Sequence, residues 1–269
     1  MPLSDPATVA KLRLVGASKR FAVHDGELEA LRPVDLAVQP QEFVALVGPS
    51  GCGKSTILNL AAGLLRPTDG MVFYDEQPVT TINRSVGYMT QKDTLLPWRH
   101  AADNIRIALE LKCRAMARDE AAARVAQIIE LIGLKGFERH FPAQLSGGMR
   151  KRVALARTLI YEPETLLMDE PFGALDAQLK LLLLDQLQSL TTLRRMTVMF
   201  VTHDLGEAIT LADRVIVFSA RPGRIRAIRN IGLPRPRDVF KVRFTPEFAR
   251  LHEELWDVLK DEVVMGTDV

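Results

Sequence analysis

Apolar and polar positions alternate from Lys11 to Phe21 and again from Leu28 to Val38, with Asp25 and Gly26 between them as a turn signal. Period-two alternation on either side of a turn predicts a small antiparallel sheet. Phe43 to Gly48 is a short apolar run ending in glycine, and helical periodicity follows from Lys54 to Leu65, giving the order buried strand, loop, helix. Met71 to Tyr74 and Val86 to Met89 read as further short strands, and Ala101 to Leu134 is rich in Ala, Leu, Arg and Glu at helical spacing. Strand signals return at Thr165 to Met168, Thr197 to Val201 and Val215 to Phe218, separated by helical segments, as a parallel α/β sheet requires. The pattern predicts an α/β core with a helical block inserted in it. Prolines argue against a long helix in residues 220–238. Thr245 then offers a cap and Pro246 a first-turn residue for a last helix, with Phe248, Leu251, Leu255, Trp256 and Leu259 on one face. No internal repeat is present, so the chain reads as one functional unit.

A chain of 269 residues with 47% apolar content has room for one large α/β domain or two tightly joined subdomains. Its charges nearly cancel at +2, which gives no reason to expect nucleic acid as a partner. Cys52 and Cys113 are the only cysteines, too few for a disulfide framework or a zinc cluster. The first residues do not read as a secretory signal. The most apolar run, Leu179 to Leu184, is interrupted by Lys180 and followed by Asp185, far short of the roughly 20 residues of a membrane span. Any membrane contact is expected to be peripheral.

Gly48, Pro49, Ser50, Gly51, Cys52, Gly53, Lys54 and Ser55 match the phosphate-loop pattern, with Thr56 next in the predicted helix. Glycines let successive backbone N–H groups turn onto phosphate oxygens, and the helix N-terminus adds positive potential. Lys54 supplies a mobile charge for the β- and γ-phosphates, and the Ser55 hydroxyl can hold Mg²⁺. Cys52 reads as a small residue that fits the loop rather than as a redox centre. Leu166, Leu167, Met168, Asp169 and Glu170 form an apolar strand ending in two acids. At the C-terminal end of a parallel strand Asp169 would face the loop and Mg²⁺, and Glu170 would polarise the attacking water, although two adjacent acids also suit an exposed turn. His203 occupies another strand end, where a histidine can be structural or catalytic.

Leu145, Ser146, Gly147, Gly148 and Met149 resemble the signature of ABC-family ATPases. In order with the phosphate loop, Gln91, Asp169, Glu170, Gly173 to Asp176 and His203, they make that resemblance specific from Lys19 to about Arg224. The resemblance implies a P-loop NTPase core with an N-terminal antiparallel β subdomain and an inserted α-helical subdomain. Residues 1–91 and 159–224 would be the core, 92–158 the helical signature subdomain and 225–269 a short C-terminal extension. It further implies ATP and Mg²⁺ as cofactors, and a head-to-tail homodimer with two nucleotides at the interface. Carried over by motif, Ser146, Gly147 and Gly148 act on the partner's γ-phosphate, and Asp176 crosses the interface. Gln91 would link Mg²⁺ and the attacking water to transmembrane permease subunits, and His203 would contact the γ-phosphate. Phe21 stands where the family stacks an aromatic ring on adenine; core packing is its other reading.

The stretch Gln91 to Trp98, the segment Ser219 to Arg224 and the signature's Met149 are similar to subunits of nitrate, sulfonate and taurine importers. That similarity implies a transport ATPase at the cytoplasmic face of the inner membrane, driving uptake of a small solute through a separate permease served by a solute-binding protein. Trp98 reads as a partner contact or as core. Lys151 departs from the family's usual Gln, Gly206 from a common acid, and Leu179 with Lys180 from a polar helix start. The arginines at 221, 224, 226, 229, 235 and 237 suit a solvated surface or anionic lipid. The residues after Arg224 are too few for a large regulatory domain. The competing readings are an ABC-type clamp on nucleic acid, which lacks a second cassette or coiled coil here, and a poorly hydrolysing binding subunit, which Glu170 and His203 disfavour.

Overall fold

The computed structural model describes residues 9–24, 26–113, 116–173 and 175–266. Asp25, expected in the first turn, and the first eight residues, part of the stretch read against a secretory signal, lie outside them. β1 (Leu12–Val23) and β2 (Gly26–Val38) pair antiparallel, with Phe21 opposite Leu28. β4 (Met71–Tyr74) joins the free edge of β1, and β5 (Gln77–Pro78) completes a sheet ordered β2-β1-β4-β5.

A second sheet carries β3 (Phe43–Val47), β6 (Val86–Met89), β7 (Thr165–Asp169), β8 (Thr197–Val201) and β9 (Arg214–Phe218), all parallel. Its order is β10-β9-β3-β8-β7-β6, where β10 (Ile225–Asn230) runs antiparallel to β9. β3, β7 and β8 are buried at every residue because both faces are covered, which is why they read as continuous apolar runs. In β3, Phe43, Ala45 and Val47 face the helix of residues 205–211, in a core that continues into the helical block. Val44 and Leu46 pack toward α1 (Lys54–Ala61) and the antiparallel sheet. β10 begins the segment expected as a short C-terminal extension, so that segment opens as part of the core sheet.

The periodic stretch from Ala101 to Leu134 forms two helices, α2 (Ala101–Lys112) and α3 (Arg118–Leu131). An unbroken helix there would run about 50 Å, longer than a compact block can cover. The break lets α3 fold back on α2, and α4 (Gly147–Leu159) packs on both. α1 also stops earlier than its periodicity, at Ala61, where Leu64 and Leu65 turn their N–H groups back to Asn59. α5 (Ala177–Leu193) and α6 (Leu205–Leu211) follow β7 and β8. α7 (Pro246–Gly266) packs on α6, β9 and β10, capped by the Thr245 hydroxyl, which accepts from Phe248 N at 3.3 Å. Phe248, Leu251, Leu255 and Leu259 are buried as the helical face predicts, whereas Trp256 is half exposed: Leu255, one step of about 100° away, takes the core position. Among the described residues no helix is long and apolar enough to cross a membrane.

Arg237, expected on a basic surface, is instead buried. Its guanidinium donates to the carbonyls of Ile209, Thr210 and Ala212 at the end of α6, and to those of Ile231 and Leu233. Burial brings its pKa down to about 10. Arg237→Met would strand those carbonyls without donors and should lower the unfolding free energy by about 3 kcal/mol. Urea denaturation checks this, and a loss below about 1 kcal/mol would show that the carbonyls find other partners.

Candidate active site

Strand ends meet at one edge of the parallel sheet. β3 runs into the phosphate loop, β6 leads to Gln91, β7 ends at Asp169 and β8 leads to His203. In such sheets the crevice beyond the carboxyl ends of the strands is where ligands bind. A cleft of about 320 Å³ opens there, walled by Phe21 and Leu28 on one side, by the phosphate loop and first helical turn, and by Gln91 and Glu170. Phe21 therefore stands in the cleft and not in the core, and Ser50, Gly51, Gly53, Lys54, Ser55 and Thr56 line it. Gly48, Pro49 and Cys52 complete the loop behind. Cys52 is fully buried, and burial pushes its thiol above the usual range.

Gly53, the residue before α1, has φ 97°, and a Cβ there would lie 2.9 Å from the Ala30 carbonyl, so only glycine brings the loop this close to β2. The Lys54 ammonium, nearly buried, donates to the Gly48 and Pro49 carbonyls at 2.8 and 2.7 Å. Asp169 is buried at the foot of the cleft. Burial pushes its pKa up, and a hydrogen bond from Ser55 opposes the shift.

Glu170 adopts a left-handed backbone (φ 47°), a strained conformation costing about 1–3 kcal/mol that is held by Glu170 N donating to Val201 O at 3.0 Å. Its side chain is met from two sides. Gln91 Nε2 donates to Oε2 at 3.3 Å, and His203 Nδ1 lies 3.6 Å from Oε1. The geometry thus gathers Lys54, Ser55, Gln91, Asp169, Glu170 and His203 at one place.

Ser146, Gly147, Gly148 and Asp176 are not among the residues lining this cleft. Each acidic or hydroxyl residue here caps a helix instead. The Ser146 hydroxyl accepts from Met149 N at 3.3 Å at the start of α4, and Asp176 Oδ1 accepts from Leu179 N at 2.9 Å at the start of α5. Gly173 turns back on the Glu170 carbonyl, and Ala174 lies outside the described residues.

The Gln91 loop is fastened to α4 by cations. Lys151 Nζ donates to the Gln91 carbonyl, Arg150 Nε pairs with Asp93 at 2.9 Å, and Arg157 donates to the Asp93 and Thr94 carbonyls, each at 3.0 Å. Burial lowers the Lys151 pKa while Asp93, Asp169 and Glu170 oppose that shift. Beyond the loop, Trp98 is 71% exposed, so its core reading is overturned. It is presented by a loop that Asn104 holds: this buried side chain accepts from Leu96 N and donates to the carbonyls of Leu96, Arg99 and His100. The sequence reading missed Asn104, whose signal is a polar residue on the apolar face of α2. It also missed Arg221, which lines the cleft.

Residues 31–173 match the family described as ABC transporter. The chain belongs to the ABC transporter family. An uncharacterised ABC transporter ATP-binding protein of Methanocaldococcus jannaschii is 43% identical over 94% of this chain and 93% of its own. A nitrate import ATP-binding protein of Synechococcus elongatus is 41% identical over 90% of this chain and 88% of its own. A dimeric ATP-binding cassette in a post-hydrolysis state, bound to ADP and Pi, superposes with a TM-score of 0.77. It is 31% identical and covers 83% of this chain and all of its own. This ABC protein is an ATP-binding subunit and an ATPase, with the fold of the family's cassettes.

Proposed function

We propose that this ABC ATPase drives uptake of a small solute of the nitrate, sulfonate or taurine kind through a separate permease. It would work as a head-to-tail homodimer at the cytoplasmic face of the membrane, with a solute-binding protein acting through the permease. The observation that carries the enzymatic part is the placement of Glu170 between Gln91 and His203 at the cleft that holds Lys54. There Glu170 is positioned to orient a water for attack on a terminal phosphate, with His203 beside the oxygens that gain charge.

Mg²⁺ suits the oxygen-only set of Ser55, Asp169 and Gln91. Too few side chains form a cage, as expected for a cation that shares its coordination with substrate phosphates. When bound, Mg²⁺ supplies neutralisation of phosphate charge. Lys54 supplies the second cation, and Phe21 offers its ring to the base.

Homodimerisation is supported by the signature turn lying off the cleft and by the dimeric cassette to which the chain is similar. A second copy in head-to-tail orientation would bring Ser146, Gly147 and Gly148 over the γ-phosphate. Asp176 would face the partner, and residues 92–158 would carry the signature as a subdomain on the core of 1–91 and 159–224.

The permease would meet residues 91–99. Trp98 is exposed on an anchored loop, and Leu64, Ile82 and Leu111 expose further apolar surface around a groove of about 490 Å³ that Tyr88 of β6 also lines. An aromatic anchor at an interface centre contributes about 2 kcal/mol or more. With the permease co-expressed, the wild-type chain should sediment with membranes and hydrolyse ATP. Trp98→Ala should reduce the membrane-bound fraction several-fold while leaving ATP affinity intact. Full assembly and coupling of that variant would place the docking surface elsewhere.

A further inference from the structure

The turn after β9 sends Arg221 into the cleft that Lys54 and Glu170 line. Arg221 Nε donates to the Gly51 carbonyl at 3.1 Å, and a Cβ on Gly51 would meet its guanidinium at 2.8 Å. The planar cation therefore lies directly on the phosphate loop. Among the described residues its only recorded hydrogen bond is to that carbonyl, and it has no ion-pair partner. Arg226 in the same segment, by contrast, is paired with Glu262.

The turn is built to hold this position. Ser219 N donates to Arg224 O at 3.0 Å, and the Ser219 hydroxyl accepts from Arg224 N at 3.2 Å. Gly223 N donates to Ala30 O at 3.1 Å, tying the turn to β2, and Ala220 N donates to buried Glu262 of α7 at 3.0 Å. Ala30 follows Leu28, the partner of Phe21 in the antiparallel register, by two residues, about 7 Å along the strand. Arg221 thus shares the cleft with Phe21 while touching the phosphate loop.

We infer that Arg221 is a nucleotide-binding residue whose guanidinium takes the α- and β-phosphate oxygens of ATP and ADP. The inference rests on the reading of this cleft as the ATP site. A guanidinium without a carboxylate, on a prepaid turn beside a polyanion site, is suited to a charge-assisted, two-donor contact that a lysine makes only as a point charge. Its turn is tied to the strand that carries the partner of Phe21, which assigns it to the phosphates nearer the base, common to ATP and ADP. Lys54, already held against Gly48 and Pro49, is left to those further along.

The test is titration calorimetry of ATP and of ADP, each with Mg²⁺, into the full chain and into Arg221→Ala, Arg221→Lys and Arg221→Gln. Arg221→Ala should weaken both nucleotides about tenfold, and by the same factor. Arg221→Lys should recover part of that loss, since it keeps the charge without the two-donor fork, and Arg221→Gln little, because Gln can still reach the Gly51 carbonyl but brings no charge. Affinities within twofold of wild type in Arg221→Ala would overturn the inference. So would recovery by Arg221→Gln equal to that by Arg221→Lys, which would leave Arg221 only the task of pinning Gly51. A loss confined to ATP would overturn the assignment to the α- and β-phosphates. If the wild-type chain takes up neither nucleotide, the ATP-site reading itself fails.

Discussion

Glu170→Gln should bind ATP as the wild type does and turn it over at least about a hundredfold more slowly. The amide keeps the shape of the carboxylate, and the strained backbone at this position depends on Val201 and not on the side chain, so the cleft stays assembled. What is lost is the negative charge that orients water and receives its proton. Gln91 and His203 both address the Glu170 oxygens. An amide turns a donor toward one of them, so the set of contacts that holds the group in place is also degraded. With hydrolysis blocked, the ATP-bound dimer should accumulate and be visible by size-exclusion chromatography. Steady-state ATPase activity near the wild-type rate would remove Glu170 from the mechanism.

Lys54→Ala should lose about a hundredfold in ATP affinity or turnover, since it removes a charge-assisted contact from a site largely closed to water. The deletion also leaves the Gly48 and Pro49 carbonyls without their present donor, so the loop loses a brace as well as a charge. Ser146→Arg acts differently. It places a bulky cation at the cap of α4, away from the cleft of its own chain, and should spare nucleotide binding by the monomer while blocking closure of the dimer. Mixing the two variants discriminates between local and shared sites, because one heterodimer site then has both an intact loop and an intact signature. ATP-dependent dimerisation of the mixture should exceed that of either variant alone. If it does not, the signature does not act across the interface.

The strands and the phosphate loop were legible because their signals are local. β3, β7 and β8 are buried on both faces and must be apolar throughout, and the loop needs glycine where the backbone approaches β2. β10 was not legible: an edge strand exposes one face, so Ile225–Asn230 shows no buried run, and its neighbouring prolines spoke only against a helix. Arg237 shows the same limit in its chemistry. Arginines in series look like a surface, and nothing in the order of residues reveals that one of them closes five carbonyls inside the protein. The cleft residues Lys54, Asp169, Glu170 and His203 could be named from strand ends and motif order. Arg221 could not, since Gly51, which it touches, lies 170 positions away along the chain and only tertiary packing brings the two together, whereas Asn104 holds the loop just before its own helix and its signal is a polar residue on the apolar face of α2.

The fastening of the Gln91 loop to α4 bears on the order of events in the proposed dimer. Arg150, Lys151 and Arg157 rivet the loop that would face the permease to the helix whose first turn would press on the neighbour's nucleotide. Loop and helix then travel as one stiff lever. In that dimer a shove delivered at Trp98 on one protomer would arrive at the nucleotide gripped by the other, so the wiring would be crossed. Each half of a permease would thereby time the hydrolysis taking place beneath the opposite half, and the two halves would be obliged to fire in concert.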